Sequence, residues 1–373
     1  MEERSKEERE KMVQVLEALK EASEEIQRQH SPESPAAKAL LELESLLSSS
    51  DPNLWALSEH LRRLKSLLHS LQHSTGLRSF LTRPISSHSL SRVAASIQSE
   101  LQAWIDRETL DGLSGCLREA NPGQSELISL LSQFQERLSR GFNRGLQELV
   151  LKHRLFSSLD SLLLDAKLPN RVREEAALAV AALIRFNKDV FVGQVLMGPT
   201  VGALVSMGSF KSISVLCSLI RSIRSPLVDE IESNGGIPKV MGVLDSEDDA
   251  LRVAALECVM EIGYFGRKEA VEAMVKEGVV EKLMELQRSE GKLFAGCVAR
   301  FAVQLEVGEG LRQREKRGFK GEILGRVREA SVSDAEAATV AAEIESRSRC
   351  QPVLPKDTSK NRHTKYQGKE NSS

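Results

Sequence analysis

Four apolar segments of this 373-residue chain recur at a near-constant step: residues 178–183, 218–223, 257–262 and 296–301. With Val180, Ile220, Val259 and Val298 taken as equivalent, the steps are 40, 39 and 39 residues. Each segment has helical periodicity, and Gly- or Pro-bearing breaks separate them. A chain of such units buries the apolar face of each against its neighbours in sequence, which is the plan of an α-solenoid. The expected fold class is all-α: a right-handed α-solenoid preceded by an N-terminal helical bundle.

Composition agrees with helix-on-helix packing. Aromatic residues are 4% of the chain, and Ala, Leu and Val supply most of the apolar 41%. Sheet proteins draw more heavily on aromatic and β-branched residues. A net charge of −2 gives no global argument for nucleic acid or an anionic membrane. The N-terminal decapeptide is too charged to begin a secretory signal, and the longest apolar run, 176–184, is nine residues, far short of a bilayer span. The five cysteines form no CxxC pair. Cys217, Cys258 and Cys297 recur near the repeat register, 41 and 39 residues apart, as small buried residues would. A cytoplasmic or nuclear location, with no membrane contact, is expected.

Residues 1–30 read as a charged helical arm with a stripe at Met12, Val15, Leu19, Ala22 and Ile26. Residues 31–144 read as an N-terminal bundle. Within it Ser34-Pro35 starts a helix, Asp51 precedes Pro52 as a cap, and Leu54, Leu57, Leu61, Leu64, Leu68 and Leu71 form a second stripe. Either stripe offers a route to coiled-coil self-association. Residues 71–89 are polar, contain Gly76 and Pro84, and read as a loop. Separate helices are expected near 89–105, 108–119 and 124–140.

About five repeats fill 145–348, cut near 190, 229, 268 and 307. Residues 349–373 lack periodicity and are expected to be disordered. The clearest unit reads IESNGGIPKVMGVLDSEDDALRVAALECVMEIGYFG. A glycine between its first two short helices permits a sharp bend. Ser246-Glu247-Asp248-Asp249 caps the third, and Ala254, Ala255 and Cys258 allow close packing on the adjoining unit.

This unit resembles the armadillo repeat, well over 190–306 and less well at 145–189 and 307–348. The layout resembles plant armadillo-repeat superfamily proteins related to the U-box ligases, and the resemblance implies a protein-binding scaffold. Two departures qualify it. No U-box is found, since neither Trp55 nor Trp104 stands in such a module. Import adaptors of this fold carry an Asn on each third helix that clamps a peptide backbone. The matching positions here are Ala182, Ser222, Glu261 and Arg300, so an Asn ladder is absent.

In the armadillo plan the third helices line the concave face. Glu257 and Glu261 lie one turn apart on that face, with Ser218 and Ser222 in the unit before and Arg300 in the unit after. Two such carboxylates repel within a helix, so the pair could receive a basic side chain of a partner. The plainer alternative is an ordinary solvated helix face, with the pair answered by Arg300. The basic run Arg312, Arg314, Lys316, Arg317 and Lys320 is diluted by Glu309, Glu315 and Glu322, and nucleic acid is not expected. His69 and His73 have helical metal-pair spacing without the Glu of HExxH, so no metal is expected. Gly263-Tyr264-Phe265-Gly266 reads as a turn ending a repeat, and Lys369-Glu370-Asn371 matches a short degradation signal.

The expected function is a non-enzymatic scaffold that binds an extended or partly basic segment of a protein partner at Ser218, Ser222, Glu257, Glu261 and Arg300. The alternative is a substrate-recruiting component of a ubiquitin-ligase pathway without its own U-box. No cofactor and no small-molecule substrate are expected.

Overall fold

The computed structural model describes residues 2–29, 35–46, 55–73, 77–119, 123–289 and 292–349. Among them all regular structure is helical, with no strand. From residue 124 onward Gly, Pro and Asx punctuate amphipathic segments of about 8–18 residues, so each segment closes as a separate helix that must bury one face on its neighbours. The chain divides into two compact units, Met1–Met207 and Gly208–Ser373.

The first unit opens with α1 (Glu2–Gln29), α2 (Pro35–Leu46), α3 (Trp55–His73) and α4 (Leu77–Arg118). Ile26 of α1, Leu40 of α2, Leu61 and Leu64 of α3, and Leu90, Ile97 and Leu101 of α4 are fully buried in one core. The stripe of α1 is turned from the expected one. Leu16, Leu19, Ser23 and Ile26 face inward, while Met12 and Val15 are exposed at 46% and 58%. Ser23 explains the choice, because its hydroxyl donates to the carbonyl of Ala94 at 2.7 Å and is therefore satisfied inside. Pro35 begins α2, as expected. Ser34, Asp51, Leu54 and the tail from residue 350 lie outside the described residues.

The segment expected as a loop over 71–89 is corrected from residue 77 onward, where α4 begins and continues unbroken through Pro84 to Arg118. The helices expected at 89–105 and 108–119 are therefore one. Nothing in Ile105-Asp106-Arg107-Glu108 breaks a helix, and a single proline removes one backbone hydrogen bond without ending it.

Next come α5 (Gln124–Ser139), α6 (Arg144–Lys152), α7 (Leu155–Leu164) and α8 (Asn170–Phe186). Asn143 caps α6 by accepting from the amide of Leu146. The run 176–184 lies within α8 and is buried nearly all round, as a helix enclosed by neighbours must be. α5, grouped by sequence with the bundle, packs on α8 as a preceding third helix would, and Gln135 bonds Glu175 at 3.1 Å. α9 (Lys188–Met197) and α10 (Thr200–Met207) complete the unit. Among the described residues no single helix is long and apolar enough to cross a membrane.

The second unit begins with α11 (Phe210–Ile223), whose capping box is built from Ser209 and Ser212. Two three-helix repeats follow: α12 (Ser225–Ser233), α13 (Gly236–Val243) and α14 (Asp249–Phe265), then α15 (Lys268–Lys276), α16 (Val279–Ser289) and α17 (Cys297–Val307). The first repeat has the short–short–long order of the armadillo-type plan, and the second keeps the three-helix order with a shorter third helix. Gly235 and Gly278, at φ +62° and +76°, make the bend between first and second helices in the left-handed region. Asp248 caps α14 through the amides of Ala250 and Leu251.

The third helices pack side by side, α11 on α14 and α14 on α17. Cys217 of α11 donates to the carbonyl of Ala254, the close approach that small residues were expected to permit. Gly263 is helical rather than part of a turn, which is confined to the C-cap Gly266. A Cβ on Gly263 would stand 3.1 Å from the ring of the fully buried Phe301 on α17. At the far ends of these helices, the amides of Glu309 and Gly310 both donate to Tyr264, at 2.8 and 3.2 Å.

The array closes with α18 (Gln313–Ala330) and α19 (Asp334–Arg349). α18 stands where two short helices would, and α19 packs on α17 like a further third helix. Glu306 of α17 accepts from Lys320 of α18 at 3.1 Å and from Ser348 of α19 at 2.5 Å. Arg288 reaches Glu336 at 2.8 Å, and Arg326 reaches Glu281 at 3.0 Å. A polar terminal pair gives the array a soluble end.

Candidate binding face on the third helices

Ser218 and Ser222 stand on α11, Glu257 and Glu261 on α14, and Arg300 on α17, so three successive third helices carry the five candidate residues. Burial follows the repeat. The neighbouring positions Leu219, Ile220, Cys258, Val259, Ala299 and Phe301 are buried between helices, which turns Glu257 and Arg300 to solvent. Ser218, Ser222 and Glu261 are half-buried. The Ser222 hydroxyl donates to the Ser218 carbonyl at 2.8 Å, so the two serines are joined within their helix. Ala182, the matching position in the first unit, is buried and offers no contact surface.

The carboxylate pair has an in-chain partner that sequence reasoning missed. Arg221 of α11 reaches across to α14, with Nε 2.7 Å from Glu261 Oε1 and Nη2 3.7 Å from Glu257 Oε2. Arg300, the partner suggested by sequence, makes no such pair: among the described residues its guanidinium has no carboxylate within salt-bridge distance. The hydrogen bond to Glu261 holds Arg221 above its ordinary range, so the guanidinium stays charged. With the arginine and Glu257 about half exposed, the triad contributes at most about 1 kcal/mol to stability. Its weight is in the charge pattern of the face.

The rest of the basic run is partly used by the fold. Lys316 donates to the carbonyl of Gly308 at 2.7 Å, Lys320 is held by Glu306, and Glu315 caps the amide of Arg312. Arg312, Arg314 and Arg317 remain exposed. Of the two histidines proposed for comparison with metal pairs, the side chain of His73 lies outside the described residues. Among the described residues no group of three or more His, Cys, Asp or Glu could hold a metal ion.

In the first unit a cleft of about 530 Å³ opens between α1, α4, α5 and α6. Its wall includes Asp106 and Arg137, paired at 2.6 Å and largely buried. Sequence gave no sign of this pair, because two charges 31 residues apart lack any register that would mark them.

No protein-family model and no curated protein matches the sequence. Among solved structures the chain is similar to an engineered protein at 19% identity and a TM-score of 0.47, covering 64% of this chain and 98% of that one. A designed armadillo repeat protein aligns at 18% identity and a TM-score of 0.46, covering 63% and 98%. Another, in complex with the peptide (KR)4, aligns at 19% and 0.46, covering 64% and 99%. The three-helix order, the left-handed glycines between short helices and the serial packing of third helices identify the chain as an all-α solenoid of armadillo-type repeats.

Proposed function

We propose that this chain is a non-enzymatic protein-interaction scaffold of the cytoplasm or nucleus, and that an extended segment of a partner protein lies across α11, α14 and α17. The observation that carries this reading is the presentation of charged, solvent-facing side chains on successive third helices at one-repeat intervals, over a core that is otherwise apolar. Glu257 and Arg300 are exposed on a rigid support, which suits recognition of a bound segment at small entropic cost.

The test is affinity capture from cell lysate with the full chain and with Glu257→Lys/Glu261→Lys, both checked for equal thermal stability. The variant is expected to lose a defined set of partners. An unchanged partner set would overturn the assignment of this face.

A further inference from the structure

The third-helix face carries two acidic and two basic groups in unequal states of engagement. Arg221 bonds Glu261 at 2.7 Å but stands 3.7 Å from Glu257. Glu261 is thus occupied by a cation of the chain itself, whereas Glu257, 52% exposed, keeps most of its hydrogen-bonding capacity. On the next third helix Arg300 is exposed and unpaired among the described residues. The groups open to a ligand are therefore one carboxylate and one guanidinium, on adjacent helices.

From this arrangement we infer that the face selects a mixed-charge segment and rejects a polybasic one, with Arg221 as the residue that sets the preference. The inference rests on the scaffold reading above and adds the partner's chemistry to it. A polybasic segment would have to compete with Arg221 for Glu261 and would bring like charge to Arg221 and Arg300 together. Like-charge apposition excludes partners more effectively than a missing attraction does. A segment with one acidic and one basic side chain meets Arg300 and Glu257 without displacing anything.

The spacing follows from geometry. Packed helix axes are about 8–10 Å apart, and an extended chain advances about 3.3 Å per residue. Alternate side chains of an extended segment point to one side. Residues two apart thus share a face at about 6–7 Å, and their flexible ends cover the remainder. The recognised unit is an acidic and a basic residue separated by one intervening position.

The probes are three fluorescent sixteen-residue peptides, measured by anisotropy against the full chain at about 0.15 M salt, where long-range attraction is screened. One repeats Glu-Ser-Lys-Ser, placing both charges on the same face. The second repeats Glu-Lys-Ser-Ser, which has the same composition but places neighbouring charges on opposite faces. The third alternates Lys and Arg. The wild-type chain is expected to bind the first about tenfold more tightly than either of the others. Arg221→Ala is expected to raise affinity for the Lys-Arg peptide about tenfold, by releasing Glu261. Arg300→Glu is expected to weaken the Glu-Ser-Lys-Ser peptide.

Tighter binding of the Lys-Arg peptide by wild type, lost in Glu257→Lys, would overturn the mixed-charge inference and leave the scaffold reading standing. Equal affinities for the two Glu/Lys peptides would overturn the spacing and with it the inference. Binding to none of the three also overturns it, and the lysate capture then decides separately whether the face binds a partner at all.

Discussion

Arg137 of α5 closes on Asp106 of α4 through two parallel hydrogen bonds, Nε to Oδ1 at 2.6 Å and Nη2 to Oδ2 at 2.7 Å. Asp106 is 4% exposed and also accepts from Gln102 at 2.7 Å, so every charge in the group is answered inside the protein. Removing one partner leaves a buried charge alone, which costs about 3–5 kcal/mol. Asp106→Ala and Arg137→Ala should each destabilise the first unit by that amount, read as a lower urea midpoint at unchanged slope. Asp106→Leu/Arg137→Met should recover most of the loss, since an apolar pair needs no compensation. A double variant no more stable than the singles would show that the pair is irreplaceable.

The bend between α6 and α7 is made by Arg154 at φ +52°, in the place that Gly235 and Gly278 occupy in later repeats. A left-handed backbone at a residue with a Cβ costs about 1–2 kcal/mol. Arg154 is exposed. Arg154→Gly should therefore stabilise the first unit by about 1 kcal/mol, after the added unfolded-state entropy of glycine is deducted. A fall in melting temperature would contradict the strain.

Asp160 of α7 is half-buried, and burial pushes its carboxyl above the ordinary value of 3.8, against the hydrogen bond that Thr200 of α10 donates at 2.6 Å. The folded chain then holds this proton to higher pH than the unfolded chain does. Between 3.8 and the raised folded value the native state binds more protons, so the contribution of Asp160 to stability falls as pH rises and is flat above that window. Asp160→Asn keeps an acceptor for Thr200 and carries no charge. Melting temperatures from acid to neutral pH should lose that downward component in the variant, which should be the more stable protein at neutral pH. An unaltered pH profile would rule out the linkage.

Four cysteines, Cys116, Cys217, Cys258 and Cys297, are buried and stand outside any disulfide. The contact with Cys217, together with burial, pushes the Cys258 thiol well up, and burial pushes Cys297 up to about 11. Thiolate is the reactive form, so these positions should be silent toward a disulfide reagent at mildly alkaline pH. Cys350 lies outside the described residues and sets the ceiling: native protein should release at most one equivalent of thiol, and denatured protein five. More than one fast equivalent in native protein would refute the packing of the repeat cysteines.

Much of the array was legible because its period is also a contact rule. Gln135 and Glu175, Gln147 and Asn187, Asp160 and Thr200, Arg221 and Glu261, and Ser225 and Phe265 are hydrogen-bonded pairs separated by 40 residues each. Arg221 could have been found by stepping back one period from Glu261. The i,i+4 spacing of Glu257 and Glu261 gives no hint of it, since a cross-repeat partner is invisible to local helix periodicity. The N-terminal helices offer no such rule. There the sequence marks which residues are apolar, but Ser23 decides which side of α1 turns inward, through a carbonyl 71 residues away. Pro84 reads as a break for a related reason: its cost of about 3 kcal/mol falls on one turn, while the helix on both sides of it continues over 42 residues.

The carbonyl of Tyr264 holds two amides from the next repeat, while the preceding seam is tied at its end by the Ser225 hydroxyl on the Phe265 carbonyl, and the exposed pair Arg224 and Glu309 spans both seams. Main chain fastened to main chain resists bending more than a rotatable hydroxyl or a solvated ion pair does. At this end of the helices, then, the joint from α14 to α17 is closed by main chain, and the joint from α11 to α14 by a side chain. A single substitution at Ser225 can therefore undo the first fastening, whereas the second survives any exchange of side chain at Tyr264 or Glu309 that leaves the backbone in place.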